Sequence, residues 1–535
     1  MNKKPYRNLK NVLACLLLSL LTGIITGGIR FVFKTAATVV IHFSERIYLG
    51  ATGRYDIILL MLLGAILLGL ISALIAKFLA NCSGGGIPTS IAILRGMMEF
   101  RWLRNVVSVF FSALVTFFGG VPLGTEGPSV QMGTAVGRGA IRVFAKKQTC
   151  WDRYIMTGGA CAGFAAATTA PLTAIFFAFE EAHRRFSPMI FMSAASAVIS
   201  GTVTIDLLDG VAGNEAPFFS SFSLPNLPTK SIYVAAIIGI VSGVAAIIFT
   251  LLYRRLGDLI KNGLAKLSIF VKIPAVFVLT VISGLLLPDT IGSGHSLTES
   301  LLSKSEIWYM VLICFVIRAI LLILANNSGV TGGLFLPTLA FGAIIGSLLA
   351  NTMISLSLLD EKYYTLCVVI GIVSFLGASS RTPIMAMAFS AEALGGMTAF
   401  LPIALGVTLS YIIIEVVKVP SFTDSVVENK VSAYHNGKKH LLVDTSFTVQ
   451  KGAFAIGKEL HDLLLPPTCV VTSLRKADLK GEHTTISEKD ILHLHYTTID
   501  AEDTFKKLEA LFGEQEESVR AEAHQISSGH VVPDN

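Results

Sequence analysis

From Asn105 to Gly137 the chain carries a single charged residue, Glu126. A run this long and apolar belongs in a bilayer, where a carboxylate is costly and marks a functional site by default. Pro128 lacks an N–H and fits a helix only in its first turn. Gly124–Gly127 therefore reads as a break, with a new helix expected from about Glu126. The free N–H groups of that helix would point into the membrane interior and form an anion site. Glu126 stands where its carboxylate can fill that site and, once protonated, vacate it. A capping role alone would not call for a charge at mid-membrane depth.

Seven further uncharged runs, 12–29, 57–76, 154–179, 186–205, 231–253, 319–359 and 393–414, are long enough to cross or nearly cross a hydrocarbon core. With 53% hydrophobic and 15% charged residues, a chain of 535 residues is a polytopic membrane protein. Its 47 glycines predict broken or re-entrant spans, so hydropathy alone miscounts them. The seven cysteines show no C-x-x-C spacing and imply neither disulfides nor zinc. Positive-inside bias accounts for the net charge of +6 without a nucleic-acid partner. Lys3, Lys4, Arg7 and Lys10 precede an apolar run with no A-x-A-like cleavage site. An uncleaved first span with a cytoplasmic N-terminus is expected.

The chain repeats itself. Gly124, Pro128, Gly133 and Gly137 recur as Gly333, Pro337, Gly342 and Gly346, and Pro171, Ala174, Phe177 and Glu180 recur as Pro383, Ala386, Phe389 and Glu392. Gly23 and Gly27 recur as Gly239 and Gly243, and Gly84–Gly86 as Gly292–Gly294, all at nearly one offset. Two structural halves, about 11–205 and 231–425, follow. The first Gly-x-x-x-Gly span follows basic residues. Its second copy follows Asp206, Asp209 and Glu215 and ends at Arg254, Arg255, Lys261, Lys266 and Lys272. The positive-inside rule then sends one repeat outward and the other inward, an arrangement that puts a substrate site at the repeat interface.

Four glycine-rich breaks are candidates for that site: Gly84–Pro88, Gly124–Pro128, Gly292–Ser296 and Gly333–Pro337. Three of them carry a proline four residues after the first glycine, a pattern that exposes N-terminal N–H groups. At these residues the chain resembles a known family. Gly84–Pro88 is similar to the GSGIP motif, Gly124–Pro128 to GREGP or GKEGP, and Gly333–Pro337 to GxFxP. These are signature motifs of the CLC chloride channels and chloride/proton exchangers, and the resemblance covers about residues 8–427. It implies an all-α polytopic fold built as an inverted repeat of broken and tilted helices. It also implies a homodimer in which each subunit moves chloride or a similar anion in exchange for protons.

By the same resemblance Glu126 is the gating and proton-exchanging glutamate, and the anion is held at Gly85, Gly86, Ile87, Gly127, Leu334, Phe335 and Thr423. Glu180 and Glu181 end an uncharged run ahead of His183, Arg184 and Arg185, which puts them at the cytoplasmic end of a span. Their spacing from Ala170-Pro171-Leu172 matches the family's internal proton relay, carried here to Glu181. Two departures stand out. Gly85 replaces a serine whose hydroxyl meets the anion in the family, and Thr423 stands where a tyrosine is usual. Arg318, Arg381, Glu392 and Glu415 are taken as structural, and Arg30 and Lys34 as snorkelling from a span end.

After about Val427 the composition turns polar. Residues 428–445 read as a linker, and 446–513 resemble the TrkA C-terminal (RCK-C) domain, a small α+β ligand-sensing module. Strands are expected at Phe454–Ile456, Cys469–Leu474 and Ile491–Tyr496, followed by a helix capped by Asp500 and ending near Phe512. His493 and His495 alternate on one strand face without further ligands, so no metal site is expected. Residues 514–535 read as a disordered tail.

The whole points to a proton-coupled anion antiporter of the plasma membrane, of prokaryotic type, with its C-terminal module cytoplasmic. It needs no cofactor, and cyclic di-AMP is a candidate regulatory ligand for the module. The alternatives are a passive chloride channel, or an antiporter for fluoride or nitrate. No nucleophile–base pair, G-x-G-D or H-E-x-x-H motif supports an intramembrane enzyme. A cation transporter would need carbonyl or carboxylate ligands where the breaks offer N–H groups.

Overall fold

The computed structural model describes residues 4–51, 54–78, 84–146, 149–213, 218–219, 223–263, 266–303, 307–438, 441–477 and 485–515. The first half forms α1 (Lys4–Gly50), α2 (Tyr55–Phe78), α3 (Gly86–Leu94), α4 (Trp102–Phe118), α5 (Glu126–Phe144), α6 (Asp152–Thr168), α7 (Pro171–Phe177) and α8 (Pro188–Ala212). The second half repeats the series with α9 (Tyr233–Gly263), α10 (Ile269–Leu286), α11 (His295–Ser303), α12 (Trp308–Ser328), α13 (Phe335–Ser355), α14 (Tyr364–Ser380), α15 (Pro383–Ala393) and α16 (Phe400–Val417). Even the short α3 and its counterpart α11 match, at 9 residues each. Among the described residues, nine helices are long and apolar enough to cross a membrane.

Local sequence sets the breaks. α6 and α14 both end on a left-handed residue, Thr169 (φ 52°) and Arg381 (φ 58°), and a proline then opens the next helix. That helix pair shows the inversion directly. Glu180, just past α7, accepts from the N–H groups of Ile384 (3.1 Å) and Met385 (2.7 Å) at the start of α15. Glu392, near the end of α15, accepts from Leu172 (2.7 Å) and Thr173 (2.8 Å) at the start of α7. Each helix caps the other's N-terminus, which requires them to lie antiparallel. Glu392 thus has a structural role, and Arg381 pairs with Glu415 at 3.6 Å.

Small residues let the spans close up. In α13 and α14, a Cβ on Gly342 would lie 2.7 Å from the Gly371 carbonyl oxygen, and one on Gly371 would lie 2.6 Å from that of Gly342. Gly133 of α5 and Gly159 of α6 make the equivalent reciprocal contact in the first half. Dispersion between closely approaching backbones holds such pairs where no water is available to drive association. α14 is the wrapped centre, buried throughout from Leu366 to Ser380, whereas α2 presents Leu59, Leu60, Leu63 and Leu67 to the outside.

Two sequence expectations change after residue 421. The expected boundary at 427 falls inside a helix, α17 (Phe422–His435), and the expected linker also contains a strand, β1 (Leu441–Thr448). Phe454–Ile456 is not a strand but part of a turn, closed by Ile456 N–H to Ala453 (3.3 Å) and Lys458 N–H to Ala455 (3.1 Å), with Phe454 against Tyr154 of α6. β2 (Val470–Arg475) and β3 (Ile491–Thr498) lie where expected, and the antiparallel sheet runs β1-β3-β2. α18 (Ala501–Phe512) buries Phe505, Leu508 and Phe512 against Val443, Phe447, Leu492 and Leu494. On the sheet's other face His493 meets Ser446 and His495 meets Asp444, each at 2.6 Å. Of the expected tail, Gln515 is ordered, bonding Thr448 through both N–H and C=O (2.9 and 3.0 Å), and residues from 516 lie outside the described residues.

The module is seated on the membrane domain. Arg153 donates to the carbonyls of Leu464 (3.1 Å) and Leu465 (2.7 Å), Tyr154 donates to Asp462 (2.9 Å), and Lys507 pairs with Glu99 (2.7 Å). Within the module, Asp490 is fully buried and receives Ser487 N–H (2.8 Å), Ala477 N–H (3.0 Å) and Lys476 Nζ (3.0 Å). Burial alone would raise its pKa, but these donors outweigh it and hold the carboxyl below its ordinary value of 3.8. The stabilisation is therefore present above about pH 4 and lost as pH falls below that. Asp490→Ala should destabilise the module by about 3 kcal/mol, because it leaves a buried ammonium and two N–H groups unpaired. Thermal unfolding of the full chain at neutral pH and near pH 3 checks both expectations, and the variant should lose less stability between the two pH values than the wild type does.

Candidate anion and proton site

Three of the four glycine breaks meet at one place. α3, α5 and α13 begin at Gly86, Glu126 and Phe335, and each carries its proline two residues on. Gly124 and Gly333 exchange N–H···O bonds of 2.8 and 2.7 Å, and Gly86 N–H reaches the Gly332 carbonyl at 3.3 Å. A Cβ on Gly127 would stand 2.5 Å from the Gly333 Cα, and one on Gly86 would collide with the Gly127 carbonyl. Only glycines allow this approach. The first-turn N–H groups of the three helices, those of Ile87, Gly127 and Phe335 among them, have no intrahelical acceptor. Three positive helix ends thus face a common, fully enclosed point.

The fourth break, Gly292–Ser296, is held differently. Arg318, taken as structural, donates to the carbonyls of Asp289, Ile291 and Gly292 at 3.0 Å each, and Gly292 N–H bonds to Gly120 at 2.8 Å. It shares no bond with the other three turns, although His295 lies within electrostatic reach of Glu126.

Glu126 is completely buried at the start of α5. Its Oε1 accepts from Thr125 Oγ1 at 3.0 Å, whereas Oε2 has no hydrogen-bond partner. The carboxyl folds back over Gly124, where any side chain would displace it.

Glu181 sits in a single π-turn, Ala178–Ala182, that follows α7. The wider turn lets Glu180 reach α15 while Glu181 points inward, buried. Thr423 Oγ1 donates to Glu181 Oε1 at 2.8 Å. That bond engages the hydroxyl which the resemblance assigns to the anion. Arg95 secures the turn by donating to the carbonyls of Glu181 (2.8 Å) and Ala182 (2.9 Å) and pairing with Asp424 (3.1 Å).

Two other expected anion contacts are also committed elsewhere. Gly85 N–H donates to Asn326 Oδ1 at 3.1 Å, and Asn326 Nδ2 donates to the Tyr253 hydroxyl at 2.6 Å. Gly86 N–H is taken by Gly332. The space of the missing serine hydroxyl is filled by Leu334, whose Cδ1 lies 2.9 Å from where a Gly85 Cβ would stand. Ile87, Gly127, Leu334 and Phe335 remain around the convergence, with Leu334 capping α13. Asn326 and Tyr253 were not foreseen. The only signal was a polar Asn326-Asn327 pair inside an otherwise apolar run.

The charges on α1 also differ from expectation. Lys34 forms an ion pair with Asp209 at 2.6 Å, and Arg30 is buried at 6% exposure instead of snorkelling to water. Asn326→Leu should cost about 1–3 kcal/mol by leaving the buried Gly85 N–H unsatisfied. A lowered thermal midpoint in detergent, with Asn326→Asp nearer to wild type because it keeps the acceptor, checks this.

Known proteins can be set beside this geometry. A family model described as voltage gated chloride channel matches residues 66–415. The H(+)/Cl(-) exchange transporter ClcA of Citrobacter koseri is 28% identical over 414 residues, covering 75% of this chain and 86% of that one. ClcA of Salmonella arizonae is likewise 28% identical over 415 residues, with the same coverage of 75% and 86%. Among solved structures, a slow cyanobacterial Cl-/H+ antiporter superposes with a TM-score of 0.71 at 22% identity, covering 78% of this chain and 98% of that one. A CLC-type fluoride/proton antiporter superposes with a TM-score of 0.62 at 20% identity, covering 75% and 95%.

Proposed function

The chain belongs to the voltage gated chloride channel (CLC) family, and from that premise we propose that it is a transporter exchanging chloride for protons. The observation that carries this reading is the meeting of three helix N-termini on a fully buried glutamate with one unpartnered oxygen. Opposed helix ends favour an anion, and a carboxylate among them competes with chloride for the same positive potential. Protonation of Glu126 removes its charge and yields the place to the anion. Binding of one species then excludes the other, which is the requirement for exchange.

Glu181, bonded to Thr423 beside the Arg95 and Arg184 cluster, is the relay that passes protons towards Glu126 from the cytoplasmic side. Ile87, Gly127, Leu334 and Phe335 surround the anion. The relatives' name states H+/Cl− exchange, which agrees with both roles. Two chains, each with its own pathway, form the working dimer in a prokaryotic plasma membrane, with the N-terminus and the module after α17 on the cytoplasmic side. The module is an RCK-C-like sensor, and a nucleotide such as cyclic di-AMP is its candidate ligand. Its seating on Arg153, Tyr154 and Glu99 favours a regulatory role.

Proteoliposomes with simultaneous chloride and pH recording test the reading. Glu126→Gln should abolish proton movement and keep anion flux, and Glu181→Gln should suppress proton flux more than anion flux. Equal loss of both fluxes in folded Glu126→Gln would reduce that residue to a cap.

Leu334 at the site of the missing serine and Thr423 bound to Glu181 leave the anion with backbone donors, so its affinity should be low and coupling loose. A passive channel is the limit of that trend. Gly85→Ser alone must push the Leu334 side chain aside, whereas Gly85→Ser with Leu334→Ala restores both the hydroxyl and its space. One hydrogen bond to the charged anion contributes about 1.5–3 kcal/mol, or about 10- to 150-fold in affinity. Calorimetry should find chloride binding tightened by that factor, and no tightening would show that the missing hydroxyl is irrelevant.

A further inference from the structure

A buried guanidinium whose N–H groups lack acceptors is expensive, because those donors have given up water without a replacement. Arg30 is such a group. It is 6% exposed, and neither Nε nor Nη1 has a hydrogen-bond partner. Its Cζ stands 5.8 Å from the centroid of the Phe33 ring. One turn earlier on α1, the buried Thr26 hydroxyl is also without a partner. Unsatisfied groups of this kind call for a ligand or an ion.

The position of Arg30 says which ligand. Cys15 of α1 and Ile141 of α5 share one packing cluster, with Phe454 of the C-terminal module against it. Arg30 lies 15 residues after Cys15, and Glu126 lies 15 residues before Ile141. At 1.5 Å per residue, both stand about 22 Å from that cluster on neighbouring helices, and so at one depth. Thr26 against Gly133 fixes the intervening contact between α1 and α5. Arg30 is within electrostatic reach of Glu126 on one side and Asp209 on the other, and Asp209 is already paired with Lys34.

We propose that Arg30 is an anion receptor beside Glu126, on the side of the membrane domain away from the C-terminal module, which takes a small monovalent anion such as chloride before or after it passes the glutamate. This rests on the exchange reading above and adds to it a binding group contributed by α1, outside the three glycine breaks. The unpartnered Nε–H supplies one charge-assisted donor to an anion, and the Thr26 hydroxyl one turn earlier can add a second.

The test is the chloride concentration giving half-maximal flux in proteoliposomes of the full chain. Arg30→Gln should raise it about 10- to 150-fold, the range of one charge-assisted hydrogen bond, and Arg30→Lys should raise it less. Asp209→Asn supplies the opposite sign: it removes a negative charge that competes for Arg30 and should lower the half-saturating concentration. An unchanged value in Arg30→Gln, as expected if water alone satisfies the guanidinium, overturns the proposal. A rise in Asp209→Asn equal to that in Arg30→Gln also overturns it, because Arg30 would then be only the counter-ion of Asp209. If Arg30→Gln does not fold, Arg30→Lys and Asp209→Asn decide by the same signs. Wild-type protein without chloride flux would refute the exchange function itself, a separate result.

Discussion

Everything in the membrane domain depends on three turns made of glycine. Where Gly86, Gly127 and Gly333 touch, there is no room for a methyl group, and the backbones themselves form the contact. Three helices consequently start at one point with their positive ends together. That arrangement repels itself, and Glu126 among the helix starts supplies the countercharge. In the proposed function this site holds either the carboxylate or an anion, and that alternation is what exchange requires. The rest of the fold serves to hold the three turns against their mutual repulsion.

The hydrocarbon environment explains how it does so, since every buried backbone group must find a partner inside the protein. α7 and α15 solve this by exchanging carboxylates, Glu180 for one N-terminus and Glu392 for the other. Inverted repeats make such an exchange available, because equivalent residues meet head to tail. The Gly292–Ser296 turn is held instead by Arg318, which satisfies three carbonyls at once. Charged residues in these spans are therefore of two kinds. Glu180, Glu392 and Arg318 complete backbone hydrogen bonding, whereas Glu126 and Arg30 keep atoms unpaired.

The short helix α3 joins the anion site to the C-terminal module. Its last four carbonyls are all occupied: Arg95, Gly96 and Met97 N–H groups take those of Ile91, Ile93 and Ala92, and Arg153 takes that of Leu94 at 2.6 Å. The same guanidinium holds Leu464 and Leu465 of the module. One end of α3 thus stands at the glycine turns while the other is held by the residue that grips the module. A division of the chain at residue 427 misses this, because α17 carries Thr423 at one end and leads into β1 at the other.

The sequence by itself determined the membrane setting, the two halves, the three proline-marked helix starts and the singular position of Glu126. These follow from local rules: apolar run length, the φ restriction of proline, and the cost of a charge in hydrocarbon. It also placed β2, β3 and α18, whose alternation and capping are written in adjacent residues. Only the tertiary structure decided which donors are free. Gly85 gives its N–H to Asn326, 241 positions away in sequence, Thr423 gives its hydroxyl to Glu181 at a separation of 242, and Leu334 fills the space at Gly85. Nor could periodicity show that Arg30 is buried without partners while Lys34, one turn on, finds Asp209. Hydrogen-bond partners across such separations depend on how the halves pack, and no local pattern encodes them.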